Sequence, residues 1–79
     1  MEKSEVLLRV KNVVSSVLKT EPSEITDQAN FVFDLGADSL QSVELVAGFE
    51  EEFDIEMDQE GALEVQTIDD AVNFISGYL

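Results

Sequence analysis

From Val6 to Leu18 apolar residues return every third or fourth place, and this spacing limits what the chain can fold into more than any other feature. Val6, Val10, Val13 and Val17 form one line, with Leu7, Val14 and Leu18 beside it. A broad apolar stripe of this kind belongs to a helix that buries one face. The spacing predicts a helix over residues 5–19, with Ser4 as its cap. Pro22 marks its stop, because the residue before a proline resists helical dihedrals. Strand-type alternation is sustained nowhere. The expected fold is all-α, a small bundle of three main helices plus one short helix.

The rest of the chain supplies those helices. Residues 20–38 make a long loop between the first and second main helices, in which Pro22 and Gly36 mix with Ile25, Phe31, Val32, Phe33 and Leu35. Loops of this length are uncommon unless functional. Its apolar side chains are expected to pin it across the open side of the bundle. The second helix is expected from Asp38 or Ser39 to Phe53, opened by a capping box of Asp38 and Gln41. On it Leu40, Val43, Val46 (with Ala47) and Phe53 are expected to face inward, flanked by Leu45 and Phe49. Glu44, Glu50, Glu51 and Glu52 then meet solvent. Gly48, inside the helix, costs about 1 kcal/mol against Ala. A single helical turn is expected over residues 58–63. The last helix opens at Thr67 as cap, favours Asp69 and Asp70 at its positive end, and ends near Gly77. Ala71, Val72, Phe74, Ile75 and Tyr78 are expected to form its buried face.

Residues 1–79 read as a single domain, without repeats or low-complexity tracts. A chain this short buries only about 60% of the surface its unfolded form exposes. Disulfides or a cysteine-bound zinc cannot staple it, since it has no cysteine. That agrees with a reducing compartment, and a cytoplasmic monomer is expected. No apolar run approaches the roughly 20 residues of a membrane span. The first ten residues do not read as a signal peptide.

Charge excludes whole classes of partner. Eighteen acids against four bases leave a net charge of -14. All four bases (Lys3, Arg9, Lys11, Lys19) lie in the first 19 residues, with only Glu2 and Glu5 against them. Residues 20–79 hold 16 acids and no base. Such a surface repels nucleic acid and anionic membranes, and suits basic proteins or divalent cations. A hydrophobic fraction of 44% argues against disorder.

One serine stands out, Ser39 in "DLGADSL". A serine nucleophile needs a neighbouring base. The chain has no histidine, and its lysines and arginine lie outside any Ser-x-x-Lys spacing with Ser39. Self-contained serine catalysis is therefore not expected. Two readings remain. Ser39 can cap the second helix through a backbone N–H. It can also be an attachment point, where a phosphodiester meets free N–H groups and the positive end of a helix. Gly36 and Ala37 leave room for a modifying enzyme.

The string Asp34-Leu35-Gly36-Ala37-Asp38-Ser39-Leu40, followed by Val43-Glu44-Leu45-Val46 and Glu50-Glu51-Glu52-Phe53, resembles the acyl carrier proteins of fatty acid and polyketide synthesis. The similarity runs through "TIDDAVNFI" and covers essentially the whole chain. The resemblance implies that Ser39 carries 4′-phosphopantetheine, placed there from coenzyme A by a phosphopantetheinyl transferase. It implies a non-enzymatic shuttle whose acyl groups ride as thioesters on the arm's thiol. It makes the second helix the docking surface for acyl-transferring and chain-elongating enzymes with basic patches. Asp38, Leu40, Val43, Glu44, Glu50 and Glu51 are the matching residues. Reversing Glu44 and Glu50 to Lys is expected to slow transfer without unfolding the chain. Val43, Val46, Phe49, Leu63, Ile68 and Ala71 are candidates for an acyl-chain lining. Gln41, Ala47, Gly48 and Met57-Asp58 depart from the common pattern, and Ala47 and Gly48 are expected to trim the docking face.

The competing class is an acidic cation-binding or protein-interaction module without a prosthetic group. Asp54, Glu56 and Asp58 alternate as in a calcium loop. The sixth and twelfth places of that loop hold Gln59 and Val65 instead of Gly and Glu, so no EF-hand is expected.

Overall fold

Val6, Val10 and Val14 stack on the inner face of the first helix, α1 (Lys3–Leu18), in a computed structural model that describes residues 1–79. These three are the buried centre of the expected stripe; Leu7, Val13, Val17 and Leu18 are half-buried at its edges. Ser4 is not the cap. The helix starts two residues earlier, where the Glu2 carbonyl accepts the N–H groups of Glu5 and Val6. At the far end Lys19 takes a left-handed conformation (φ 57°) and donates its N–H to the Ser15 carbonyl. Pro22 opens a short 3-10 turn, Pro22–Glu24.

α1 is the element on which α2 (Ser39–Phe53) and α4 (Ile68–Ser76) both pack. A short α3 (Gln59–Glu64) joins them. The all-α expectation holds, with one isolated antiparallel bridge between Asn30 and Thr67. That bridge fastens the long loop. Phe31 N–H donates to the Gln66 carbonyl at 2.9 Å, and Ile68 N–H to the Ala29 carbonyl at 3.1 Å. Ile25, Ala29, Phe31 and Ala37 bury their side chains, and Leu35 is half-buried. Val32 and Phe33 do not pin the loop; both face solvent.

The inward face of α2 differs from the expected one. Leu45, Phe49 and Phe53 are buried, one above another at four-residue spacing. Leu40 and Val43 are 68% and 64% exposed, and Val46 is half-buried. Two phenylalanine rings bury more apolar area than two aliphatic chains, so this rotation of the helix gives the larger hydrophobic gain. Gly48 turns out to face α1: a Cβ built there meets Val13 Cγ1 at 2.8 Å. Its missing side chain sets how closely the two helices approach.

α4 is capped by Thr67, whose Oγ1 accepts the Asp70 N–H at 3.1 Å. Ile68, Ala71, Val72 and Ile75 are its buried residues. Phe74 is half-buried and Tyr78 is exposed beyond the helix end, not part of that face. The Tyr78 ring meets Phe74 edge-on at 5.4 Å. Its hydroxyl oxygen accepts the Asp58 N–H at 2.8 Å. Asp58 in turn caps α3 through the Gly61 N–H at 3.2 Å. No helix is long and apolar enough to cross a membrane.

Candidate functional site

The approach to Ser39 is built by backbone hydrogen bonds. Asn30 Oδ1 accepts the N–H groups of Val32 and Phe33 at 2.9 and 3.0 Å. Asp34 Oδ2 accepts the Asn30 N–H at 2.7 Å. The chain then turns at Gly36, whose φ of +72° suits glycine. Ala37 is buried and donates its N–H to the Phe31 carbonyl.

The helix cap follows at once. Asp38 Oδ1 accepts the Gln41 N–H at 2.8 Å, and Gln41 Oε1 accepts the Asp38 N–H at 3.1 Å. The capping box is complete, so Gln41 has a structural task here. Ser39 is the first helical residue, not the cap, and it is exposed. The capping reading of Ser39 is thereby removed, and its hydroxyl is left unoccupied beside the free N–H groups of the first turn.

Below Ser39 lies a half-open apolar cavity of about 610 Å³. That volume falls within the range of small-molecule sites, about 300–1,000 Å³. Of the expected lining, Val43, Val46, Phe49, Leu63 and Ala71 border it. Ile68 does not. As the residue after the Thr67 cap it is fully buried in the core shared with α1. Met57 and Phe31 also line the cavity and were not among the expected residues. Met57 is a lone apolar residue between Glu56 and Asp58, and that isolation is the signal that would have found it.

The six expected docking residues separate into groups. Leu40, Val43, Glu44 and Glu51 share an exposed face of α2 with Ala47. Asp38 is exposed, but its carboxylate is engaged in the cap. Glu50 does not meet solvent as expected: it is half-buried, and its Oε2 accepts the Met57 N–H at 2.8 Å. The chain doubles back after α2, through Asp54 in a left-handed conformation (φ 55°), and this return brings Met57 under Glu50. Gly48 lies against α1 and trims no docking face. Glu52 pairs with Arg9 at 3.2 Å, and Lys11 with Asp27 at 2.8 Å. Asp54, Glu56 and Asp58 do not converge, and no group of three or more acids gathers to hold a metal ion.

Comparison with known proteins bears on the family and the fold. Residues 8–75 match the family model described as the phosphopantetheine attachment site. The chain is 51% identical over 73 residues to an acyl carrier protein of Caulobacter vibrioides, covering 92% of this chain and 94% of the relative. It is 53% identical over 72 residues to an acyl carrier protein of Phenylobacterium zucineum, covering 91% of each. Its fold matches a solved structure described as an acyl carrier protein from Mycobacterium tuberculosis, with TM-score 0.84, 28% identity, and 91% and 96% of the two chains covered. With a single free serine at the head of α2 and a family match over nearly its whole length, this chain belongs to the acyl carrier proteins, the family that takes phosphopantetheine as its cofactor.

Proposed function

We propose that Ser39 is the attachment residue for 4′-phosphopantetheine, and that the chain presents acyl groups to enzymes of fatty acid or related lipid and polyketide synthesis. One observation carries this reading: Asp38, not Ser39, caps α2, so the serine hydroxyl is free at a helix start above an apolar cavity. A phosphodiester fits there. A Cβ built on Gly36 finds no atom within 4 Å, so nothing crowds the approach from that side. The unpaired N–H groups and helix dipole favour a negative charge.

Ser39 supplies the attacking oxygen during loading. Its bond to phosphorus replaces the pyrophosphate bridge of coenzyme A, the adenosine bisphosphate leaves, and the hydroxyl proton passes to a base of the transferase. The chain offers no histidine for that role, and none of its lysines stands at a Ser-x-x-Lys spacing from Ser39. When attached, the group supplies a thiol that holds acyl chains as thioesters. Val43, Val46, Phe49, Leu63 and Ala71 offer such a chain an apolar shelter. Leu40, Val43, Glu44 and Glu51 form the face that basic enzymes meet. Asp38 and Glu50 contribute charge to it while holding structure.

Incubation with coenzyme A and a broad-specificity phosphopantetheinyl transferase tests the proposal by mass. The expected result is a gain of one phosphopantetheine in the wild type and none in Ser39→Ala. A gain that persists in Ser39→Ala refutes the assignment.

A further inference from the structure

Phe33 is 86% exposed, the most exposed large apolar residue in the chain. It does not hang from a loose loop. Its N–H is held by Asn30 Oδ1, the next N–H (Asp34) by the Asn30 carbonyl, and Gly36 N–H by the Val32 carbonyl at 3.1 Å. A hydrogen-bonded turn therefore displays the ring outward. Presenting an aromatic side chain this way saves ordering entropy on association, and rigid aromatic anchors dominate binding energy in many interfaces. Phe33 and Ser39 border the same cavity, with Val43 and Leu63 exposed along its rim. Asp34 and Asp38, within five residues of Phe33, and Glu44, five residues past Ser39, are exposed and negatively charged.

We propose that Phe33 anchors the enzyme that modifies Ser39, its ring entering an apolar slot bordered by basic side chains. This rests on the assignment of Ser39 above. An enzyme working at the end of a long arm can sit at a distance. One that forms a bond to Ser39 Oγ must lay its own surface over that atom. A specific interface covers about 800 Å² per partner. A footprint of that size centred on Ser39 includes Phe33. Asp34, next to Phe33 in sequence, and Asp38, next to Ser39, fix the sign of the partner's rim, and the ring fixes the apolar centre.

The test uses the apo chain, a phosphopantetheinyl transferase and coenzyme A, with modification followed by mass and binding of apo chain to transferase measured by titration. Phe33→Ala is expected to raise KM and weaken binding about 10- to 30-fold, the range of a hot-spot residue, with kcat within twofold. Phe33→Leu is expected to recover part of the loss, and the urea midpoint of both variants to stay at the wild-type value. Unchanged KM and binding in Phe33→Ala overturn the anchor while wild-type modification leaves the Ser39 assignment standing. A wild type that neither binds nor gains mass overturns both. Wild-type self-association that Phe33→Ala abolishes, with KM unchanged, assigns the ring to a second copy of this chain and overturns the proposal.

Discussion

The carboxylate of Glu50 accepts the backbone N–H of Met57 at 2.8 Å, while the Glu50 carbonyl accepts the N–H of Ile55 at 3.1 Å. One residue near the end of α2 thus catches the returning chain twice and sets Met57 beside the cavity.

Glu50→Ala leaves the part-buried Met57 N–H without its partner. Urea unfolding is expected to show a loss of about 1–3 kcal/mol, and Glu50→Gln, which keeps an acceptor, a smaller one. Equal stability in Glu50→Ala and wild type would show that the contact contributes nothing.

Asp38→Ala removes the cap of α2 and is expected to lower stability by about 1 kcal/mol, whereas Asp38→Ser retains most of it. Ser39→Ala removes no hydrogen bond that holds the fold. Its unfolding midpoint is expected to stay within about 0.5 kcal/mol of wild type. A large loss in Ser39→Ala would mean that the hydroxyl serves the helix after all.

Gly48→Ala sets two effects against each other. Helix propensity favours alanine by about 1 kcal/mol. A new Cβ at 2.8 Å from Val13 Cγ1 forces α1 and α2 apart, and overpacking costs about 1–3 kcal/mol. A helical valine has one strongly preferred rotamer and cannot swing aside easily. A net loss of about 1 kcal/mol is expected, smaller in a Val13→Ala background. Stabilisation by Gly48→Ala alone would show that the helices yield freely.

Tyr78→Phe keeps the ring edge on Phe74 and deletes the oxygen that accepts the Asp58 N–H. The expected loss is about 0.5–1.5 kcal/mol. Hydrogen exchange reports it locally: the Asp58 amide is expected to exchange faster while those of α1 keep their protection.

Glu44→Lys combined with Glu51→Lys changes only exposed residues. Stability is expected to hold within about 0.5 kcal/mol. Association with a phosphopantetheinyl transferase, followed by stopped flow, is expected to slow about tenfold at low salt, with the difference shrinking as salt rises. A salt-independent difference would point to lost contacts instead of lost steering.

Local signals were the readable ones. The Asp38–Gln41 box and the Thr67 cap each involve residues three apart, so the sequence alone locates them. The serine's environment was readable too, because the whole string from Asp34 to Leu40 is contiguous. The face of α2 was not. Leu40, Val43 and Val46 follow helical spacing as well as Leu45, Phe49 and Phe53 do. Only the positions of α1 and α4 choose between them. Glu50 misled for a related reason. A glutamate among glutamates reads as solvated, and its partner at Met57 becomes visible only once Asp54 has reversed the chain.

The segregation of charge along the sequence puts every base on α1 or at its C-terminal cap. Every base belongs to the first 19 residues, and the other 60 hold 16 of the 18 acids. A basic partner is drawn to the acidic remainder of the chain and not to α1, and this steering acts during approach, before any side chain touches, so fewer collisions are wasted. For a carrier that visits one enzyme after another, the saving recurs at every stop.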